Sequence, residues 1–193
     1  MTAHQLTIYD AIRPSARWME IVVLAAFNVL LVACSYIAVP LPFSPVPVTG
    51  QTFGVMVIAM TLGRIRGTAV VLAYLLEGAL GLPVLAGGNA GLPVFFGATG
   101  GYLFGFVGAA YVMGWLADNG WHRTLFRSLS AMLIGQVVIY TCGLAWLSGF
   151  MPSGQLLVAG LFPFLPGAAA KIALAGGVIP SVWRIVKRTQ SDA

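Results

Sequence analysis

Charge is what this sequence has least of. Only 8% of its 193 residues are Asp, Glu, Lys or Arg, against about 25% in soluble domains, and this excludes an ordinary water-exposed surface. With 59% hydrophobic residues and a mean hydropathy of +0.93, the chain reads as a membrane protein. Cysteine is nearly absent too. Cys34 and Cys142 each stand inside an apolar run, so they imply packing rather than a disulfide framework or a metal site. Neither histidine, His4 or His122, has a metal-ligand neighbour, and the sequence contains no GxxxxGK[ST], HExxH or GxSxG pattern. The first of these is the loop with which P-loop ATPases cradle the phosphates of ATP. The chain is therefore not expected to hydrolyse ATP itself, nor to be an enzyme, nor to carry a metal or cofactor. The net charge of +5 comes from basic residues spread in pairs, so no basic patch forms and no nucleic-acid partner is expected.

What is present is a series of apolar runs. A spanning helix needs roughly 20 mostly apolar residues, so at most about seven spans fit, with no soluble domain beside them. We expect one all-α integral membrane domain over residues 1–193. The N-terminal segment holds His4, Asp10, Arg13 and Arg17 and lacks the apolar core and cleavage site of a signal peptide. Helices are predicted at about 19–39, 49–62, 68–82, 98–117, 128–147 and 166–186. The first is ended by Pro40, and prolines at 42, 45 and 47 make the following stretch a loop. The run from Phe53 to Leu62 is too short to span alone. Either its helix includes Thr49, Gln51 and Thr52 or the loop dips into the membrane, and both put polar groups at depth. Residues 63–67 read as a tight turn, and Pro180 predicts a kink in the last helix. Outside the spans, Arg13, Arg17, Arg64, Arg66, Arg123, Arg127, Arg184, Lys187 and Arg188 fall on one side, while the opposite loops near 40–51, 83–96 and 150–160 carry no charge. By the positive-inside rule both termini are cytoplasmic, which six helices satisfy.

The tenth basic residue, Lys171, falls in the first turns of the last helix, near the outer half of the bilayer. A charge at depth costs roughly 2.5 to 3.5 kcal/mol on insertion scales and usually faces a cavity. Glu77 is the other intramembrane charge. The two residues form a structural ion pair, or Lys171 snorkels outward, or Lys171 binds a ligand. A lysine near a helix N-terminus favours an anion, such as a small carboxylate. The stretch from Gly78 to Gly108 holds ten glycines, which lets backbones approach one another or a ligand. Within it, Asn89 is a ligand group or a turn residue, and Tyr102 a ligand group or an interface aromatic. Gln51, Gln136 and Tyr140 are further polar candidates.

PVPVTGQTFGVM at 45–56, YLLEGALGLPVLAGG at 74–88, GATGGYLFGF at 97–106 and PFLPGAAAK at 163–171 together resemble the BioY family, over nearly the whole chain and in order. That resemblance implies a six-helix S component of an energy-coupling factor (ECF) transporter. Such a protein binds biotin near the extracytoplasmic face, under the loop between helices 1 and 2. It implies a bacterial cytoplasmic (inner) membrane location, surrounding lipid, and a membrane T component and paired ATPases as partners, or self-association in their place. Biotin would offer its carboxylate to Lys171 and its ureido ring to Asn89 or Tyr102, with Phe53, Phe96 and Phe164 as apolar walls. Ala25, Ala26 and Ala33 would serve either the T component contact or ordinary packing. The chain departs from the family pattern in two places: Ala168 stands where the family has an acid, and GATGGY replaces GPTGGY. With that acid gone, Glu77 is expected to partner Lys171. Two other readings compete with biotin uptake. One is a self-contained secondary transporter for a related small carboxylate, with Glu77 relaying protons; the other is a membrane assembly protein without a small ligand.

Overall fold

The computed structural model describes residues 7–11 and 16–191, with side chains as far as Lys187. His4, Arg13 and the Arg188 side chain of the sequence reading lie outside this set. The chain is mostly helical, with α1 at Ile8–Ala11, α2 at Arg17–Tyr36, α3 at Gln51–Ala79, α4 at Leu92–Phe96, α5 at Gly100–Asp118, α6 at Leu125–Leu147, α7 at Ser153–Gly160 and α8 at Leu165–Ser191. Among the described residues, five helical stretches are long and apolar enough to cross a membrane: α2, α3, α5, α6 and the joined α7–α8 segment.

The stretch α3 is broken at Gly63, whose φ of 77° and ψ of −174° lie outside the helical region. A residue with a Cβ is strained at such a φ. The limbs 51–62 and 64–79 then run back along each other, since Gln51 hydrogen-bonds Tyr74 and Gly67 packs on the main chain of Ile58 and Ala59. The reversal takes one residue, where the sequence predicted a turn over 63–67. Asp118, at the end of α5, accepts hydrogen bonds from the Arg64 backbone N–H at 3.3 Å and so holds the restarted helix.

The fold is not purely helical. The proline-rich stretch after α2 forms an antiparallel hairpin of β1 (Ala38–Leu41) and β2 (Ser44–Thr49), with Ala38 opposite Thr49 and an irregularity between Val39 and Leu41. Proline is tolerated there because a two-stranded hairpin consists of edges, which need no N–H on their outer side. The predicted outer loop near 150–160 contains α7, and α8 is helical through Pro180.

The core lies along α5, whose packing against α3 on one side and α6 on the other is the most extensive between helices. The glycines of α5 explain how closely they pack: a Cβ at Gly105 would stand 3.0 Å from Cα of Ile139 on α6. Much of the glycine density in the sequence therefore serves helix approach. In contrast, the bundle leaves most of α2 and α8 uncovered.

Arg64, Arg66 and Arg123 lie at one end of the bundle. There Arg66 pairs with Asp10 and Glu20, Arg64 lies near Asp118, and His122 stacks edge-on against Trp183. The hairpin, the 85–99 segment and the starts of α3, α5 and α8 form the other end.

Candidate functional site

A cavity of about 320 Å³ opens at that second end, roofed by Pro45, Val46 and Pro47 of β2. Three helices begin at it. Gln51 and Thr52 of α3, Gly97 to Thr99 before α5, and Phe164 before α8 all line it. Helix starts carry unpaired N–H groups and the positive end of the helix dipole, so the backbone itself makes this cavity favourable to an anion.

Lys171 adds a formal charge. It stands on the second turn of α8, and its ammonium donates to the Thr49 carbonyl at 2.5 Å and the Thr52 hydroxyl at 3.0 Å. Both partners are neutral, and no Asp or Glu lines the cavity. An ammonium has three N–H donors; two are spent on holding its position, and one is left over. The charge is thus oriented but not compensated.

Of the ten residues singled out in the sequence, six line this one cavity: Lys171, Asn89, Tyr102, Gln51, Tyr140 and Phe164. Several have committed part of their hydrogen-bonding capacity within the protein. Gln51 accepts from the Thr49 hydroxyl at 2.9 Å and donates to Tyr74 at 2.5 Å. Asn89 donates to the Ala86 carbonyl three residues back at 2.7 Å, a turn contact within its own loop. Tyr102 donates to the Gly160 carbonyl at 2.7 Å, which ties α5 to the end of α7, and its ring faces Phe164 at 6.3 Å between centroids.

The other four lie elsewhere. Glu77 accepts from the Asn28 amide at 3.1 Å, in a groove between α2 and the second limb of α3; it is not the partner of Lys171. Position decides this, since Glu77 and Asn28 line that groove and neither lines the cavity. Phe96 is 67% exposed, and Phe53 packs against the core rather than lining the cavity. Gln136 is buried one turn before Tyr140 and donates to its hydroxyl at 3.2 Å, but lines the groove between α6 and α8.

Sequence reasoning did not identify Thr49 and Thr52 as the groups that hold Lys171. They were noted only as polar groups at depth. The available signal was chemical and covers only Thr52: a lone ammonium in an apolar region needs neutral oxygens if no acid is near, and the Thr52 hydroxyl is one, whereas Thr49 contributes a backbone carbonyl that any residue would supply. Tyr74, which fixes Gln51 from behind, gave no signal.

The profile of the BioY family matches residues 7–188. This chain belongs to the BioY family. Among its relatives, a biotin transporter BioY from Rhizobium etli is 36% identical over 165 residues, covering 81% of this chain and 88% of that protein. One of the same name from Thermotoga maritima is 35% identical over 140 residues, covering 72% and 80%. Among solved structures, the S-component for biotin from an ECF-type ABC transporter superposes with a TM-score of 0.80 at 26% identity, covering 89% of this chain and 95% of that one.

Proposed function

We propose that this family member binds biotin and takes it up across the bacterial cytoplasmic membrane, as the S component of an ECF-type transporter. One observation carries the reading: the cavity at the uncharged end holds a single formal charge, the Lys171 ammonium, oriented by neutral oxygens with one donor unspent. Biotin's carboxylate meets that donor. Its thiophane ring and valeryl chain lie along Tyr102, Leu103, Phe106 and Phe164, as expected of a site that is mostly apolar with a few placed polar groups. The relatives named above point to the same ligand.

The membrane arrangement follows from charge. The chain crosses six times, through α2, the two limbs of α3, α5, α6 and α8. The basic end faces the cytoplasm together with both termini, and the cavity faces outward. Energy comes from a T component and ATPases on separate chains. The uncovered α2 surface, with Ala25, Ala26 and Ala33, offers small residues for close helix contact with the T component.

The competing reading, a self-contained transporter for a related carboxylate, has Glu77 relaying protons while Lys171 only balances charge. With Glu77 in a separate groove on Asn28, that reading loses its proton path. The test is titration of biotin into the purified chain, with uptake measured in vesicles with and without T component and ATPase chains. Saturable binding by the chain alone and ATP-dependent uptake only with partners are expected. Uptake driven by a pH gradient through the chain alone would contradict the reading.

A further inference from the structure

We propose that the Tyr140 hydroxyl donates a hydrogen bond to a neutral carbonyl oxygen of the ligand, and that Gln136 is the residue that positions it. The inference rests on the biotin reading, in which that acceptor is the ureido oxygen.

The unspent donors of the cavity are unevenly placed. The third N–H of Lys171 and the hydroxyl proton of Thr52 lie together between α8 and α3 and suit the two oxygens of one carboxylate. On the α6 wall, Tyr140 offers a further hydroxyl. Its hydroxyl accepts from the Gln136 amide at 3.2 Å, so its own proton remains to be given, and among the described residues no protein acceptor takes it. The other cavity tyrosine differs: Tyr102 has already donated to Gly160.

Gln136 is 3% exposed, and its Oε1 is buried with no partner. Turning the amide round would hand the Tyr140 proton to Oε1, but it would leave both buried N–H donors unpaired, where the observed orientation leaves one N–H and the carbonyl oxygen. Orphaned N–H groups are rarer than under-satisfied carbonyl oxygens. The observed orientation therefore keeps the Tyr140 hydroxyl as a donor with its proton free to give. The pair sits beside Ala168, which lines the same groove. Ala168 has no polar group, so Gln136 meets no polar side chain from it, and Tyr140, which lines both the groove and the cavity, carries the polarity of the α6 wall.

The test compares biotin with its thiocarbonyl analogue, which keeps shape and charge but accepts hydrogen bonds poorly, on wild type, Tyr140→Phe and Gln136→Leu. Removal of a neutral hydrogen bond is worth about 1 kcal/mol, so Tyr140→Phe should weaken biotin several-fold to about tenfold. It should leave the thiocarbonyl analogue within about twofold. Gln136→Leu should show the same ligand dependence at smaller size, and it carries the test alone if Tyr140→Phe does not fold. Equal losses for both ligands, or none for either, would overturn the inference while leaving the biotin reading intact. A folded wild type that binds no biotin would overturn both.

Discussion

Two partly buried cations stand at opposite ends of this bundle, and their surroundings differ in one respect. Arg66 donates to Glu20 at 2.8 Å and to Asp10 at 3.1 Å, and lies over the Tyr9 ring at 4.5 Å. Lys171 donates only to a backbone carbonyl and a hydroxyl. Arg66 is fully compensated and ties the N-terminal helix α1 and the start of α2 to the turn in α3. Lys171 is held in place by groups that do not neutralise it. A charge in an apolar protein is thus a site or a fastener according to whether a counter-charge is already present.

The two cations are therefore expected to respond differently to truncation, one through binding and the other through stability. Lys171→Ala is expected to weaken biotin binding by about 100-fold, the scale of a lost charge-assisted hydrogen bond, and isothermal titration in detergent reads this directly. An effect under threefold would place the carboxylate elsewhere.

The second expected effect is on stability at the basic end. His122 lies between α5 and α6, its Nδ1 2.9 Å from the Ala117 carbonyl, and burial pushes its pKa down to about 4. The unfolded chain takes up a proton near 6.5, so between these values it binds more protons than the folded one. Stability contributed by His122 is complete above about pH 6.5 and falls as the pH drops towards 4, by about 2 kcal/mol at pH 5. Thermal unfolding at pH 7 and pH 5 should show this, and the dependence should shrink in His122→Phe.

Arg66→Ala comes next. It leaves two carboxylates without their partner, and about 1 to 2 kcal/mol of stability should be lost, below the cost of breaking a fully buried pair because Arg66 is only partly covered. Biotin affinity should not change. A change in affinity would mean that the two ends are coupled and that the comparison is too simple.

The smallest expected effect is that of Glu77→Gln. The amide can keep its contact with Asn28, so biotin affinity should stay within about twofold. A large loss would restore Glu77 to the site from which its position removes it.

Much of this was legible in the sequence because membranes impose simple rules. Apolar run length located the long helices, charge placement separated the two ends, and Lys171 stood out because a lone charge in an apolar segment needs a reason. What the sequence concealed was pairing across space. Glu77 and Lys171 are the two charges left in the spans, which invites joining them, yet neither helical periodicity nor spacing says that Glu77 faces α2. Asn28, its actual partner, is an inconspicuous amide in an apolar helix. The hairpin was hidden for a different reason: prolines at 40, 42, 45 and 47 argue against helix, but whether such a stretch pairs with itself depends on what it packs against. Ser44 reaching the Ala159 carbonyl at 2.7 Å is a contact 115 residues away in sequence. Phe53 and Phe96 show the limit of choosing aromatics by their neighbourhood, since each adjoins a cavity segment while its side chain points elsewhere.

The most direct test of the central claim, that Lys171 is an uncompensated charge awaiting a carboxylate, is a cycle of binding measurements with biotin and its methyl ester on wild type and Lys171→Ala. If the ammonium and the carboxylate meet, each change alone should cost about 100-fold, and the two together should cost little more than either, because both remove the same interaction. Losses that multiply across the cycle would show that Lys171 and the carboxylate act independently, and would contradict the account.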